Sequence, residues 1–209
     1  MRVIDWGRVP YEEAVERMKV VLANRIAGSD PDTLIFCEHD PVYTVGRTRG
    51  AAANILNPEG IPIVPVSRGG DVTFHGPGQL VGYPVFALPD HRHDLHGFLR
   101  GLEGSMIQSL ASFGVNGTRD DRNTGVWVDG KKIMAIGIAA KRWVTWHGFA
   151  LNCTVDLNHY RRINPCGMPS DLVTSLDRHT DPCPPRDILM NTVVDELGKW
   201  WRDWTAEPG

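Results

Sequence analysis

At 209 residues the chain is long enough to bury a sizeable core, and it is expected to form one domain, residues 1–209. Its 42% hydrophobic and 22% charged residues are ordinary for a soluble globular chain, and a formal net charge of −3 excludes the general basic footprint of a nucleic-acid binder. No apolar run reaches membrane-spanning length, and residues 1–6 lack the apolar core and cleavage site of a signal peptide. Cytoplasmic location, with no nucleic-acid or membrane partner, is therefore expected. The four cysteines, Cys37, Cys153, Cys166 and Cys183, lack Cys-x-x-Cys spacing and are too sparse for a disulfide scaffold, which points to reduced thiols.

The first helix is predicted over Tyr11–Ile26, where Ala14, Met18, Val21 and Leu22 recur at helical spacing. Strands follow at Thr33–Glu38 and Val42–Val45, separated by the breaker Asp40-Pro41, and again at 79–88. Residues 54–62 and 89–93 read as loops. A second helix is predicted over 95–113, with Asp94 as its N-cap and Gly114 as its stop. Gly125–Val128 and 132–139 form a hairpin joined by Asp129-Gly130, and 143–152 supplies another strand. A third helix runs from 187 to about 201, after Pro184-Pro185. Hairpin-linked strands with irregularly placed helices predict an α+β fold, a mixed and largely antiparallel sheet packed with helices.

Two segments carry the chemistry. Residues 68–79 read Arg-Gly-Gly-Asp-Val-Thr-Phe-His-Gly-Pro-Gly-Gln, with glycines where backbone must come close to something and Arg68, Thr73 and His75 to hold polar groups. Backbone N–H groups of such a loop can bind a developing oxyanion. The other segment is Asn164-Pro165-Cys166-Gly167, a thiol on a Pro/Gly-framed turn. A free cysteine is by default a small buried hydrophobe, which suits Cys37 and Cys153, while Cys183 between two prolines reads as a loop residue. Only Cys166 has the setting of an exposed nucleophile. Lys132 follows the Asp129-Gly130 turn, and strand alternation puts it on the face of Met134 and Ile136, opposite Lys131. If that face is buried, Lys132 sits in apolar surroundings. His91, His93 and His96 have no Cys or carboxylate of matching spacing beside them except Asp90 and Asp94, and the run is loop-like in composition, so no metal site is expected.

These segments resemble the octanoyltransferases of lipoate biosynthesis. Residues 68–83 fill the whole Arg-Gly-Gly-x-x-Thr-aromatic-His-x-x-Gly-Gln-x-aliphatic-x-Tyr pattern, and Lys132 with Ala135-Ile136-Gly137, then 147–152, then Pro165-Cys166-Gly167 follow in order. The likeness extends from about residue 11 to about 197. It implies the fold of the lipoate and biotin protein ligases. It implies Cys166 as acyl-thioester nucleophile with Lys132 as its partner. It also implies substrate binding by Arg68, Gly69, Gly70, Asp71, Val72, Thr73, Phe74 and His75, by Ala135, Ile136 and Gly137, and by Gly148, Phe149 and Ala150. The donor would be octanoyl-acyl carrier protein. The acceptors would be lipoyl domains of 2-oxo acid dehydrogenase complexes and the glycine cleavage H protein, with a monomeric enzyme needing no cofactor.

Lowering a thiol pKa from about 8.5 to about 6.5 raises its thiolate fraction roughly 25-fold at pH 7. The accompanying loss of nucleophilicity, at a Brønsted slope of about 0.4–0.5, costs roughly 8-fold. A net gain of about 3-fold is small beside the 10²–10⁴-fold that proton transfer can contribute, so acid–base work is the better reason for the lysine. His75, and less so His147, are candidates to orient the acyl carbonyl or the thiol. Arg161-Arg162, with Lys141-Arg142, are candidates to steer an acidic carrier. The competing enzyme reading is an ATP-dependent lipoate–protein ligase of the same fold, which needs a lysine but no cysteine and for which Asp71 would sit badly beside a phosphate. A non-catalytic binding module is disfavoured by the retention of Lys132, Cys166 and His75, and a cysteine peptidase by the lack of the usual sequence contexts.

Overall fold

The alternation in β2 (Thr33–Glu38) sends Leu34 and Phe36 to one face of a sheet and Ile35 and Cys37 to the other. All four are fully buried, so the strand is central and covered on both sides. The computed structural model describes the backbone of residues 1–207, and every side chain in that span except those of Cys166 and Ser170.

The main sheet contains β1 (Arg2–Arg8), β2, β6 (Gln79–Val85), β7 (Gly125–Val128), β8 (Lys131–Lys141) and β9 (Val144–Asn152), in the order β1-β2-β6-β9-β8-β7. Only β1 against β2 is parallel, so the sheet is mixed and largely antiparallel. A second sheet, β4-β3-β5, joins β3 (Val42–Val45) to β4 (Ile63–Pro65) and β5 (Val72–His75). The chain passes from one sheet to the other at the predicted breaker Asp40-Pro41.

One face of the main sheet is covered by α2 (Leu95–Ala111) and α3 (Arg186–Thr205), with Phe98, Leu102, Met106, Val193, Leu197 and Trp201 against Leu34, Phe36, Ile133, Met134 and Leu151. Asp94 caps α2 as expected, its carboxylate accepting the Gly97 N–H at 2.9 Å. The opposite face is covered in part by α1 (Tyr11–Ile26), through Ala14, Met18 and Leu22. Beyond the N-terminal end of α1 that face stays open, roofed by the small sheet and by the short turns of 157–172. The gap between floor and roof is the candidate site.

Several boundaries move. Helix α2 closes at Ala111, with Gly114 three residues further on at φ 75°. Helix α3 starts at Arg186, directly after Pro185, and runs on to Thr205. Strands β1, β4 and β5 were not expected. β1 is an edge strand broken by Gly7 at φ 62° and a register shift, and β4 is three residues bounded by Pro62 and ending in Pro65. β5 is the middle of the glycine-rich motif, where breakers on either side hide four extended residues. Among the described residues no helix is long and apolar enough to cross a membrane.

Candidate active site

The floor of the gap is a trough made by small residues. Ala135 pairs with Ala150 and Gly137 with Gly148 across β8 and β9. Period-two alternation puts all four on one face, where they leave room that larger side chains would fill. Gly148 admits no side chain, since a Cβ there would lie 2.0 Å from the Gly82 carbonyl oxygen. A Cβ at Gly137 would lie 2.9 Å from Arg68 Cδ, so the arginine stem runs over the strand there.

At one end of the trough stands Lys132. It is 8% exposed, and its Nζ donates to Asn123 Oδ1 at 2.8 Å. The ammonium also lies 5.6 Å from the centre of the Trp127 ring, a cation–π arrangement. Space for the stem comes from Gly125, where a Cβ would approach Lys132 Cε to 2.6 Å. The Gly125 N–H is held by buried Glu103 at 3.0 Å, so α2 fixes this corner from behind. Lys132 reaches the trough by a route that alternation missed. The register steps from Trp127–Lys132 to Val126–Met134, which leaves Ile133 without a partner on β7. That bulge drops both Ile133 and Met134 into the helix-covered core and turns Lys132 to the face of Ala135 and Gly137. The expected shared face with Met134 is therefore corrected, while the burial holds.

The segment following Cys166 is fastened beside Lys132. Val173 forms an isolated parallel bridge to Lys132, and the Thr174 N–H donates to the Lys132 carbonyl at 2.9 Å. The Thr174 carbonyl accepts from Asn152 Nδ2 at 3.0 Å. Asn152 belongs to a buried set in which Gln79 Nε2 donates to Asn152 Oδ1, to the Tyr160 hydroxyl and to the Phe74 carbonyl, at 2.9–3.0 Å. Pro165, Met168 and Val173 line the pocket from this side. The side chain of Cys166 itself lies outside the described residues. The other three thiols are kept protonated by burial: Cys153 is pushed up to about 12, Cys37 further, and Cys183 less strongly.

The glycine-rich loop supplies the roof. Arg68, Gly70, Asp71, Val72, Thr73 and His75 line the pocket. Arg68 is 7% exposed and anchored by its Nη2 to the Thr44 carbonyl at 3.0 Å and hydroxyl at 2.7 Å. The Asp71 carboxylate accepts from Asn54 Nδ2 at 2.9 and 3.0 Å and from the Val72 N–H, so it braces the loop. Two expected residues sit elsewhere. Gly69 lines a neighbouring groove with Thr48 and Thr124, and Phe74 turns into the core of the small sheet, stacked on His159 at 4.5 Å. Ala135, Ile136, Gly137, Gly148, Phe149 and Ala150 all line the pocket.

The far end is aromatic. His75 stacks on Tyr11 at 5.7 Å between centroids and hydrogen-bonds Gln79 Oε1 through Nδ1 at 3.1 Å, which makes Nδ1 the protonated nitrogen. His39 accepts the Tyr83 hydroxyl at Nε2, 2.6 Å, because its Nδ1 must donate to the Val9 carbonyl at 2.9 Å. Burial lowers the pKa of His39 and, more strongly, of His75. His147 is lowered to about 4, by burial first and the Arg68 charge second. All three rings are thus neutral near pH 7. Tyr11, Asn123 and Tyr160 stand outside the sequence motifs and are marked only by proximity in the fold, whereas Tyr83 and Asn152 fall inside them. The His91–His96 run holds no metal cluster among the described residues, and His93 instead stacks on Trp143 at 4.1 Å.

Residues 10–200 match the lipoyl protein ligase A/B catalytic domain family. An octanoyltransferase of Geobacter metallireducens is 49% identical over 176 residues, covering 84% of this chain and 82% of its own. One from Rubrobacter xylanophilus is 44% identical over 210 residues, 97% of this chain and 92% of its own. Among solved structures, lipoate-protein ligase A bound with ATP superposes at a TM-score of 0.76 with 19% identity, over 96% of this chain and 85% of that one. A biotin protein ligase of Aquifex aeolicus gives 0.60 with 12% identity, over 98% and 70%. The two ligase structures establish the shared fold.

Proposed function

The chain belongs to the lipoyl protein ligase A/B catalytic domain family, in which its relatives are octanoyltransferases, and from that premise we propose how this acyltransferase works. It takes an octanoyl group from octanoyl-acyl carrier protein and delivers it to a specific lysine of a lipoyl domain, in a 2-oxo acid dehydrogenase complex or the glycine cleavage H protein. The whole of residues 1–209 acts as one catalytic domain, as a monomer in the cytoplasm, and the group travels as a thioester on Cys166.

In the first half-reaction the Cys166 thiolate attacks the carrier's thioester carbonyl. The carbonyl–sulfur bond to pantetheine breaks, and the Lys132 ammonium protonates the departing sulfur. In the second, the acceptor lysine's amine attacks the Cys166 thioester and loses a proton to neutral Lys132, and the Cys166 thiolate leaves. Ammonium and thiolate are thereby restored, and a thioester has become an amide, a downhill exchange that calls for neither ATP nor metal. The observation that carries the reading is Lys132, buried in the pocket at 8% exposure and bridged to Val173 in the segment that follows Cys166. Arg68, Gly70, Asp71, Val72, Thr73 and His75 above, with Ala135, Ile136, Gly137, Gly148, Phe149 and Ala150 below, hold the acyl chain. Gly69 and Phe74 contribute by shaping the loop from behind.

The test is transfer from octanoyl-carrier protein to a purified lipoyl domain with no nucleotide present. Transfer that is ATP-free and abolished by thiol alkylation is expected. Dependence on ATP with insensitivity to alkylation would instead identify an ATP-dependent lipoate–protein ligase, the competing reading on the same fold.

A further inference from the structure

Tyr11 and His147 line two cavities at once: the pocket just described, and a groove on the other side of them floored by Val15, Val64, Val66 and Trp146. Both side chains are nearly fully buried, at 5% and 2% exposure, so they form a partition. We propose that the His147 ring, backed by Tyr11, is the end stop of the acyl trough and sets the longest chain that the transferase accepts. This deepens, and rests on, the octanoyl-transfer reading.

The geometry supports a stop at this place. The reactive end is fixed by Lys132, and along β8 and β9 the trough passes the Ala135–Ala150 and Gly137–Gly148 pairs before the Ile138–His147 pair. The three residues from the Ala135–Ala150 pair, where the trough floor begins, to the Ile138–His147 pair span about 10 Å of strand. Single C–C bonds of about 1.5 Å in a zigzag advance about 1.25 Å each, so an extended octanoyl chain is about 9 Å long and a dodecanoyl chain about 14 Å. The shorter chain ends before the ring, and the longer one meets it.

His147 is also unusual for a strand residue. Its φ is 58°, in the left-handed region, which breaks the strand's alternation and lets the ring stand in the trough's path. The ring is held by Ser67 Oγ at Nε2, 3.1 Å, and by stacking on Trp146 at 4.2 Å, while buried Nδ1 has no hydrogen-bond partner among the described residues. Near pH 7 the ring is neutral, so it presents no charge to a terminal methyl group. A neutral ring across an apolar trough is a steric limit, and the groove behind it offers the apolar side chains of Val15, Val64, Val66 and Trp146, rimmed by Glu12, Glu13, Glu16 and Lys19.

The left-handed backbone makes clean variants possible. His147→Gly suits φ 58° and deletes the ring, and His147→Asn also tolerates that φ while leaving a smaller group near Ser67. The assay is kcat/KM for pantetheine thioesters of 6, 8, 10, 12 and 14 carbons, with a lipoyl domain as acceptor. For the native protein we expect a rise of about fourfold per methylene up to the stop, followed by an abrupt fall of more than about 10-fold. In His147→Gly the dodecanoyl-to-octanoyl ratio should rise at least about 16-fold, the worth of two newly covered methylenes, and in His147→Asn about fourfold. Ratios unchanged in variants that melt cooperatively would overturn the stop, even with the transferase reading intact. If neither variant folds, the native series decides: an abrupt limit supports the stop, and a smooth dependence on length overturns it. A native protein that transfers no acyl chain from any donor overturns the functional reading, and the stop with it.

Discussion

Replacing Lys132 by Arg and by Met separates charge from proton transfer. The structure confines the side chain: 8% exposed, Nζ 2.8 Å from Asn123 Oδ1, stem against Gly125, and the Trp127 ring 5.6 Å away. Little water can replace a missing proton donor in such a place. Arg keeps the charge but does not deprotonate, so it can neither donate to the leaving sulfur nor accept from the attacking amine. Proton transfer contributes about 10²–10⁴-fold, or about 3–5 kcal/mol of barrier. Both half-reactions of Lys132→Arg should therefore slow by at least about 100-fold. Met fills a similar volume without charge. Its rate loss should be as large, while its stability changes by no more than about 2 kcal/mol, because removing a buried charge offsets the lost hydrogen bond and cation–π contact. Single-turnover quenching with intact-mass detection resolves acylation from transfer. A Lys132→Arg enzyme within about 5-fold of the native rates in both steps would refute the acid–base role.

Asn123→Ala should weaken the positioning of the Lys132 ammonium and lower the acylation rate at least about 10-fold, as expected for loss of a charge-assisted hydrogen bond worth about 1.5–3 kcal/mol. Unchanged single-turnover rates would contradict this. The stability of the fold should depend on pH through its buried neutral histidines. Above pH 6.5 His147 is neutral whether folded or unfolded. Below 6.5 only the unfolded chain readily takes the proton, so stability falls as pH drops toward about 4, by on the order of 3 kcal/mol from this group. His39 and His75 act in the same direction. Urea unfolding at pH 7 and pH 4.5 checks it, and equal stabilities would contradict it. For carrier steering the sequence pairs Arg161 with Arg162, but Arg162 is held by Glu59 whereas Arg161 is exposed. Arg161→Glu should therefore lower kcat/KM a few-fold for carrier-bound octanoate at low salt, with the deficit shrinking as salt rises and small octanoyl thioesters spared. Equal losses for both donors would mean a local structural role.

What the sequence revealed follows from the length of its signals. Helices α1, α2 and α3 are 16, 17 and 20 residues long, and their apolar stripes repeat often enough to be read. The β7–β8 hairpin is marked by Asp129-Gly130, where φ is positive at both residues. β5 is invisible because its four residues lie between glycines, and β4 because prolines bound it; each becomes a strand only through pairing with β3. The same limit governs the site. Arg68, Lys132 and the Ala135–Ala150 floor stand in motifs, and the fold gathers them around one pocket. The phase of Lys132 was misread because the unpaired Ile133 is a property of two strands together. Phe74 stands in the same motif, but its ring packs in the small sheet, a placement that depends on tertiary contacts. Asn123 and Tyr11 come from a loop and a helix end far from the motifs in sequence, and only tertiary contact gives them a part.

The central claim is that the acyl group travels on Cys166. Incubation of the protein with octanoyl-carrier protein, rapid acid quenching and peptide mass mapping test it directly. The account predicts one octanoyl adduct, on the peptide containing Cys166, that disappears when a lipoyl domain is added and never forms in Cys166→Ala. An adduct on Cys37, Cys153 or Cys183, or undiminished transfer by Cys166→Ala, would contradict it.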